Sequence, residues 1–225
     1  MDYEVKPIDY QDCKEWFLKK HYLKRLPSIT FCFGLYKNNI LIGVCSFGNA
    51  VPLTMKRSIC GEEFEKYVYE LNRLIVNDNH ERNVTSFFVS QCLKKLPKPL
   101  IIVSYADKSQ GHNGYIYQST NFIYLGLSHT QKDWKIRGEE DKHSRTLMDE
   151  FAFTPNRIEL LKEKYGDRLY QVEREPKHRY VYLIGSKTQK QKFIKSLRSK
   201  PQSYPKGDNK RYDASYNPLV QQKLF

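Results

Sequence analysis

Apolar positions along the first two-thirds of the chain switch repeatedly between strand-like and helix-like spacing. "YEVKPI" predicts a short strand, and Asp9 stands where it can cap a helix through "YQDCKEWFLKKHY". "SITFCFGLYKNNILIGVCSFGN" predicts an antiparallel hairpin. Its two β-rich runs are joined by Lys37-Asn38-Asn39, where Asn tolerates the positive φ of a tight turn. "YVYELNRLIV" (67–76) predicts the next strand, and 83–96 a helix stopped by Pro97 and Pro99. "LIIVSYA" (100–106) is a nearly continuous apolar run of the kind buried in mid-sheet. The polar stretch "SYADKSQGHNGYIYQSTNF" follows as loop and helix, and "FIYLGLSH" returns as a strand.

Beyond residue 136 the texture changes. "RGEEDKHSRTLMDEF" is polar, and "TPNRIELLKEKYGD" predicts a helix with Thr154 as cap, Pro155 in the first turn and Gly166 as stop. "KHRYVYLIG" reads as a strand, "TQKQKFIKSLRSK" as a basic helix, and the tail as an arm, ordered or loose. The expected organisation is a core over 1–136, its continuation over 137–200 and a basic aromatic arm over 201–225, in one structural domain. The element order resembles the GNAT fold: α/β, with a mixed, mostly antiparallel central sheet flanked by helices, here with a basic C-terminal extension. That fold usually places a Gly-rich turn for acyl-CoA before the helix after its central strand. The corresponding "VNDNHERNVTSFF" has no glycine, which counts against ordinary coenzyme A use. A pyrophosphate still has backbone N–H groups near Asn83 and Thr85 to sit on.

Charge sharpens this picture. The 225 residues carry a net +13, and residues 157–225 hold 17 Lys and Arg against 7 Asp and Glu, whereas 1–156 hold 21 against 18. A basic C-terminal third points to a polyanion, most commonly nucleic acid, the alternative being a surface that merely aids solubility. Seventeen tyrosines favour base stacking beside phosphate contact. Lys177, His178 and Arg179, with Lys206, Lys210 and Arg211 of "YPKGDNKRYD", are the expected phosphate contacts. Five cysteines without a CxxC pair argue against a disulfide scaffold or a Cys-rich zinc site and fit a reducing cytosol. No apolar run approaches the roughly 18–20 residues needed to span a bilayer, and the N-terminus lacks signal-peptide features, so a cytoplasmic protein is expected.

Candidate chemistry gathers around residues 104–121. Ser104 and Tyr105 close a strand at its carboxyl end, where α/β sheets tend to bind ligands. Asp107 is either a helix cap, with Gln110 reaching back, or a catalytic group. Gly111 and Gly114 would each cost a helix about 1 kcal/mol, which makes sense where a ligand must approach the backbone. From Ser109 onward, helical spacing places His112, Tyr115 or Ile116, and Ser119 on one face, and Gly114, Tyr117, Gln118 and Asn121 on another. The second face has amides to read a base edge and a ring to stack, although core-edge packing is the commoner fate of a tyrosine. Arg73 in an inner strand needs an acidic partner, Asp107, or a substrate anion, while Glu70 is expected on the opposite sheet face. His21 and Tyr22 end the first helix, as dipole partners or as functional groups.

"SYADKSQGHNGYIYQSTNFIYLG" resembles the signature of the Mom family of bacteriophage DNA-modification proteins. "KKHYLKRLP", "FCFGLYKNNILIGVCSFGN", "ELNRLIV", "KHSRTL", "KHRYVYLIG" and "YPKGDNKRYD" resemble the same family in matching order. The resemblance implies a GNAT-like transferase in the bacterial host cytoplasm that converts adenine N6 in DNA to its carbamoylmethyl (acetamido) derivative, shielding phage DNA from host restriction. N6 is buried in the duplex, so the adenine must be flipped out or single-stranded. Asp107, Tyr105, Arg73, Ser104, His21 and Tyr22 are then the catalytic candidates. Gln110, Gly111, His112, Gly114, Tyr117, Gln118 and Asn121 are the substrate-binding ones, Gln118 and Asn121 suiting the adenine edge. The resemblance also implies iron, for which Asp107, His21, Tyr22 and His112 are the available ligands, without any HxH, HxxxH or HExxH spacing. The donor of the two-carbon group is not readable. Competing readings are an acyltransferase on a small-molecule amine and a non-catalytic DNA-binding protein.

Overall fold

The computed structural model describes residues 3–49, 52–78 and 80–207, which form two compact units, 128–176 being one and the flanking chain the other. The larger unit is built on strands β1 (Tyr3–Pro7), β2 (Phe31–Lys37), β3 (Ile40–Gly48), β4 (Val68–Val76), β5 (Leu100–Ala106), β6 (Ile123–Leu127) and β9 (His178–Ile184). They lie in the order β1-β2-β3-β4-β5-β9-β6. Every neighbouring pair is antiparallel except β4 with β5. The mixed, mostly antiparallel sheet expected from the sequence is therefore present. The β2–β3 turn is the predicted one, with Asn38 and Asn39 at φ 50° and 65°.

Helices cover both faces. α3 (Val84–Lys95) presses Phe88 and Cys92 onto Phe33, Cys45, Phe47, Leu71 and Ile102. On the other face, Ile59 of α2 (Leu53–Cys60) and Phe193 of α7 (Lys187–Ser196) pack with Val68, Ile101, Val103 and Val181. On that face too, Trp16 and Phe17 below α1 (Tyr10–Glu15) cluster with Val44 and Ile75. The first helix is shorter than its pattern: α1 gives way to a π-helical turn over Trp16–Lys20. Asp9 sits at the N-cap but makes no side-chain cap bond. α2 has no counterpart among the elements predicted from the apolar pattern.

The polar stretch after β5 departs from a continuous helix. Asp107 opens a single 3-10 turn over Lys108–Gln110, Gly111 reverses at φ 69°, and α4 spans only Tyr115–Ser119. The two helical faces expected from Ser109 to Asn121 consequently do not form.

The smaller unit pairs β7 (Gln131–Ile136) with β8 (Leu169–Arg174) and carries α5 (Ser144–Asp149) and α6 (Arg157–Tyr165). Ile136, Leu147 and Leu161 are its fully buried residues. The boundary at 136 and the reading of 137–200 as one continuation of the core are thus corrected: the excursion leaves after Leu127 and the chain rejoins the large sheet at Lys177. Its charges pair internally, Lys164 with Glu150 and Arg168 with Glu139, so the polar stretch conceals a local fold. The N-cap position of α6 is Asn156 rather than Thr154, without a side-chain cap bond, and the helix does stop at Gly166, φ 52°. Among the described residues no helix is long and apolar enough to cross a membrane.

Gly114 links this fold to its site. It holds φ 74°, and a Cβ there would overlap the Tyr180 ring. Gly114→Ala is expected to destabilise the protein by roughly 2 kcal/mol or more, combining left-handed strain with overpacking. A thermal melt within a degree of the wild type would contradict that.

Candidate active site

β4 and β5 pair over only three positions, Val68↔Ile101, Tyr69↔Ile102 and Glu70↔Val103. β4 then continues to Val76 and β5 to Ala106 without each other, and the sheet opens between them. Backbone groups along such a split need other partners. Buried Ser104 supplies one, its hydroxyl donating to the Leu71 carbonyl at 3.0 Å, and Tyr117 is hydrogen-bonded to Ser104 in turn. A cavity of about 880 Å³ occupies the opening. Its walls come from both sheet faces: Leu74 and Val76 from the side under α3, Glu70 and Arg73 from the other. His21, Tyr22, Tyr105, His112, Gly114, Tyr115, Tyr117 and Lys177 also line it, and Asp78, His80, Glu81, Arg82, Asn83, Thr85 and Ser86 form a further polar side.

A register shift determines what faces this space. Ser46 pairs with Arg73 and Phe47 with Leu71, so Asn72 is an extra residue, bonded through its side chain to Ser46 and the Ser28 carbonyl. Tyr69, Leu71, Leu74 and Val76 consequently pack in one core, a 2-3-2 spacing. The bulge brings Glu70 and Arg73 to the same face, whereas strict alternation predicts opposite faces. Glu70 is half-buried, and burial foremost pushes its carboxyl above the usual range, against the opposing pull of Arg73 and Lys177. Burial likewise raises the Tyr105 phenol, and the Glu70 charge adds to it.

Arg73 is buried and donates to the carbonyls of Asn72 (2.7 Å) and Arg25 (3.1 Å). His21 stacks on Tyr22 with centroids 4.5 Å apart. Its Nδ1 accepts from the Leu23 N–H at 3.1 Å, which leaves the neutral ring its proton on Nε2. Burial first, then the cations of Arg73, His112 and Lys177, lower its pKa to about 3. His21 is therefore a neutral N–H donor at physiological pH. His112 meets Tyr22 edge-on, and its own pKa is lowered mainly by burial.

Asp107 resolves as the cap, of the two roles its sequence position allows. It accepts from the N–H and hydroxyl of Ser109 and pairs with Lys177 at 2.6 Å. Burial alone would raise its carboxyl, but Lys177 and Ser109 together hold it below the usual carboxylate range. It is not a wall residue; it fixes Lys177, which is. The carboxylate that the sequence offers as a partner for Arg73 is thus engaged by Lys177.

None of the amide candidates lines the cavity. Gln118 Nε2 reaches the carbonyls of Asn113 and Pro205 and the Tyr180 hydroxyl. Asn121 ends the turn at φ 62°, and Gln110 is exposed on the 3-10 turn. These three and Gly111 stand outside the cavity wall. Tyr117 reaches the wall but mainly packs on Phe122 and Tyr180, and burial pushes its pKa to about 12.

The expected phosphate contacts also move. His178 is buried against the Tyr124 hydroxyl at 2.8 Å, and buried Arg179 donates to Ser199 at 2.7 Å. Both belong to β9, held between β5 and β6. Lys206 is exposed, while Lys210 and Arg211 lie outside the described residues. The described part of the arm is docked: Gln202 N–H bonds Tyr124 and the Tyr204 hydroxyl bonds Phe122, both at carbonyls. Among the described residues no three His, Cys, Asp or Glu side chains gather as a metal site. With Asp107 committed to Lys177, the proposed iron ligands do not fit such a centre.

The topology is that of a GNAT-like α/β fold, with the candidate site where the two parallel strands part. The chain matches the Mom protein family over residues 2–206, and it belongs to that family. It is 30% identical over 125 residues to the methylcarbamoylase mom of Escherichia phage Mu. That alignment covers 53% of this chain and 52% of the phage Mu protein, so the chain spans about half the length of the curated relative it matches. Similar solved structures include a GNAT-family acetyltransferase from Bacillus cereus (12% identity, 82% of this chain and 99% of that one, TM-score 0.42). Another is an N-acetyltransferase from Staphylococcus aureus (11% identity, 81% and 99%, TM-score 0.43). At these scores the likeness carries no functional weight.

The depressed His21 pKa has a stability consequence. An imidazole held neutral in the fold contributes stability that is fully present above its unfolded value near 6.5 and is lost as pH falls toward about 3. His21→Gln is expected to flatten the fall in melting temperature between pH 6.5 and 4. An unchanged pH profile would exclude a buried, neutral His21.

Proposed function

We propose that this chain is a DNA-modification enzyme that converts adenine N6 to its carbamoylmethyl (acetamido) derivative and thereby protects phage DNA from restriction. Membership of the Mom family supports the reading, and so does the methylcarbamoylase activity for which the phage Mu relative is named. The observation that carries it is the cavity at the strand split, where one carboxyl with a raised pKa faces two cations and a neutral imidazole donor. A cavity of about 880 Å³ has room for an extruded base and a small group beside it.

The exocyclic amine of adenine is a poor nucleophile because its lone pair is delocalised into the ring. Bond formation at N6 therefore needs a base to take the departing proton. Glu70 is placed for that role, since a carboxylate lifted toward the working pH is a better base than an ordinary one. His21 Nε2–H is suited to donate to the carbonyl oxygen of the two-carbon amide. Arg73 and Lys177 hold positive potential against Glu70, and Tyr22 and Tyr115 offer ring faces to the extruded adenine. N6 bonds to the methylene carbon of a donor of the form X–CH2–C(O)NH2, X departing with the electron pair of the broken C–X bond while the N6 proton passes to Glu70.

Nucleoside mass spectrometry of DNA from bacteria expressing the protein tests the reading. The wild type should yield adenosine carrying a carbamoylmethyl group, and Glu70→Gln should lower its rate of appearance by on the order of 100-fold or more. Unmodified DNA with the folded wild type would overturn the function. Wild-type yield from Glu70→Gln would remove Glu70 as the base.

A further inference from the structure

From Pro176 to Gly207 the chain contains nine Lys and Arg and no Asp or Glu. Lys177 and Arg179 are accounted for inside the fold. Most of the remainder sits on α7 and directly after it: Lys187, Lys190, Lys192, Lys195, Arg198 and Lys200. None of these six pairs with a carboxylate among the described residues. Lysines and arginines elsewhere on the surface commonly do, as with Lys37–Glu81 at 2.8 Å and Arg57–Glu65 at 2.6 Å.

Helix stability does not explain the pattern. α7 already has a complete capping box between Ser186 and Gln189 and an anchor in buried Phe193. Lys187 in its first turn opposes the helix dipole, and Lys187/Lys190 and Lys192/Lys195 are like charges three residues apart. Lys195 in the last turn suits the dipole, but the first-turn lysine and the like-charge spacings are unfavourable within the helix and become favourable against an external anion. Lys187 and Lys195 are eight residues apart, about 12 Å along the axis, so the cations form a track rather than a point. Phe193 anchors α7 on the sheet face that carries Val68 and Tyr105, the face to which the bulge at Asn72 turns Glu70 and Arg73.

We propose that the exposed basic face of α7, continued by Arg198 and Lys200, follows the phosphate backbone of the DNA whose adenine enters the cavity. This rests on the reading that the chain acts on DNA. It assigns backbone contact to a helix in place of the 177–179 cluster, whose charges the fold absorbs. Contacts of this kind set affinity and salt dependence without reading sequence.

The test is fluorescence anisotropy of a labelled DNA duplex, titrated at several salt concentrations, with the full chain. A variant carrying Lys187→Gln, Lys190→Gln, Lys192→Gln and Lys195→Gln should bind at least 10-fold more weakly. Its log K against log salt plot should be shallower by about 0.9 for each phosphate no longer neutralised. The matching Lys→Arg variant should keep the wild-type slope, which separates charge from fold. A wild-type slope in the Gln variant would overturn the assignment to α7 while leaving the proposed function intact. Absence of salt-dependent binding by the wild type would overturn both.

Discussion

The backbone ladder between β4 and β5 closes at Glu70↔Val103 and goes no further, although both strands continue. Everything distinctive about this molecule follows from that short pairing. Two strands flanked on their outer sides by complete antiparallel partners expose their inner edges to each other across a gap. A dry gap would leave amides and carbonyls unsatisfied, at a cost comparable to that of a missing hydrogen bond for each group. The chain spends Ser104 on one such carbonyl and leaves the rest as a polar-lined cavity. The split is stable because β3 and β9 hold the outer edges and because α3, α2 and α7 bury the apolar parts of both faces.

Charge inside the split is arranged in tiers. Asp107 holds Lys177, and Lys177 and Arg73 together set the field felt by Glu70 and His21. The carboxyl is pushed up by burial more than the cations pull it down, while burial and those cations both act to keep the imidazole neutral. One group is thereby tuned toward accepting a proton and the other toward donating a hydrogen bond. Gly114 lets α4 approach the Tyr180 ring, which fixes Tyr115 and Tyr117 at the wall. The site is thus assembled from side chains on rigid elements and their immediate ends.

Sequence patterning reveals the parts of the fold that obey a single period. The Asn38-Asn39 hairpin, the buried run 100–106 and the helix before Pro97 are all legible, because turn chemistry and apolar spacing agree there. Arg73 stands out in the sequence as a charge in apolar surroundings, and His21, Tyr22 and Tyr105 by their places at a helix end and a strand end; all four line the cavity. Glu70 is not, because one extra residue at Asn72 reverses the face that alternation assigns to it. His178 and Arg179 read as surface because they are charged or polar, yet β9 lies in the sheet interior and each finds a polar partner there. Gln118 and Asn121 look like base readers because amides suit adenine, but Gln118 is bonded to Asn113, Tyr180 and Pro205, and Asn121 ends a turn outside the cavity wall. The 128–176 unit is hidden because its few core residues are spread through a densely charged stretch.

We propose that the adenine base enters the opening between β4 and β5. Photocrosslinking with a duplex carrying a photoreactive adenine analogue at its target position tests this directly, with peptide mapping by mass spectrometry. Attachment is expected within 21–23, 70–76, 80–86 or 105–117, the main segments that wall the cavity. Attachment confined to 128–176, with none on either wall, would contradict it.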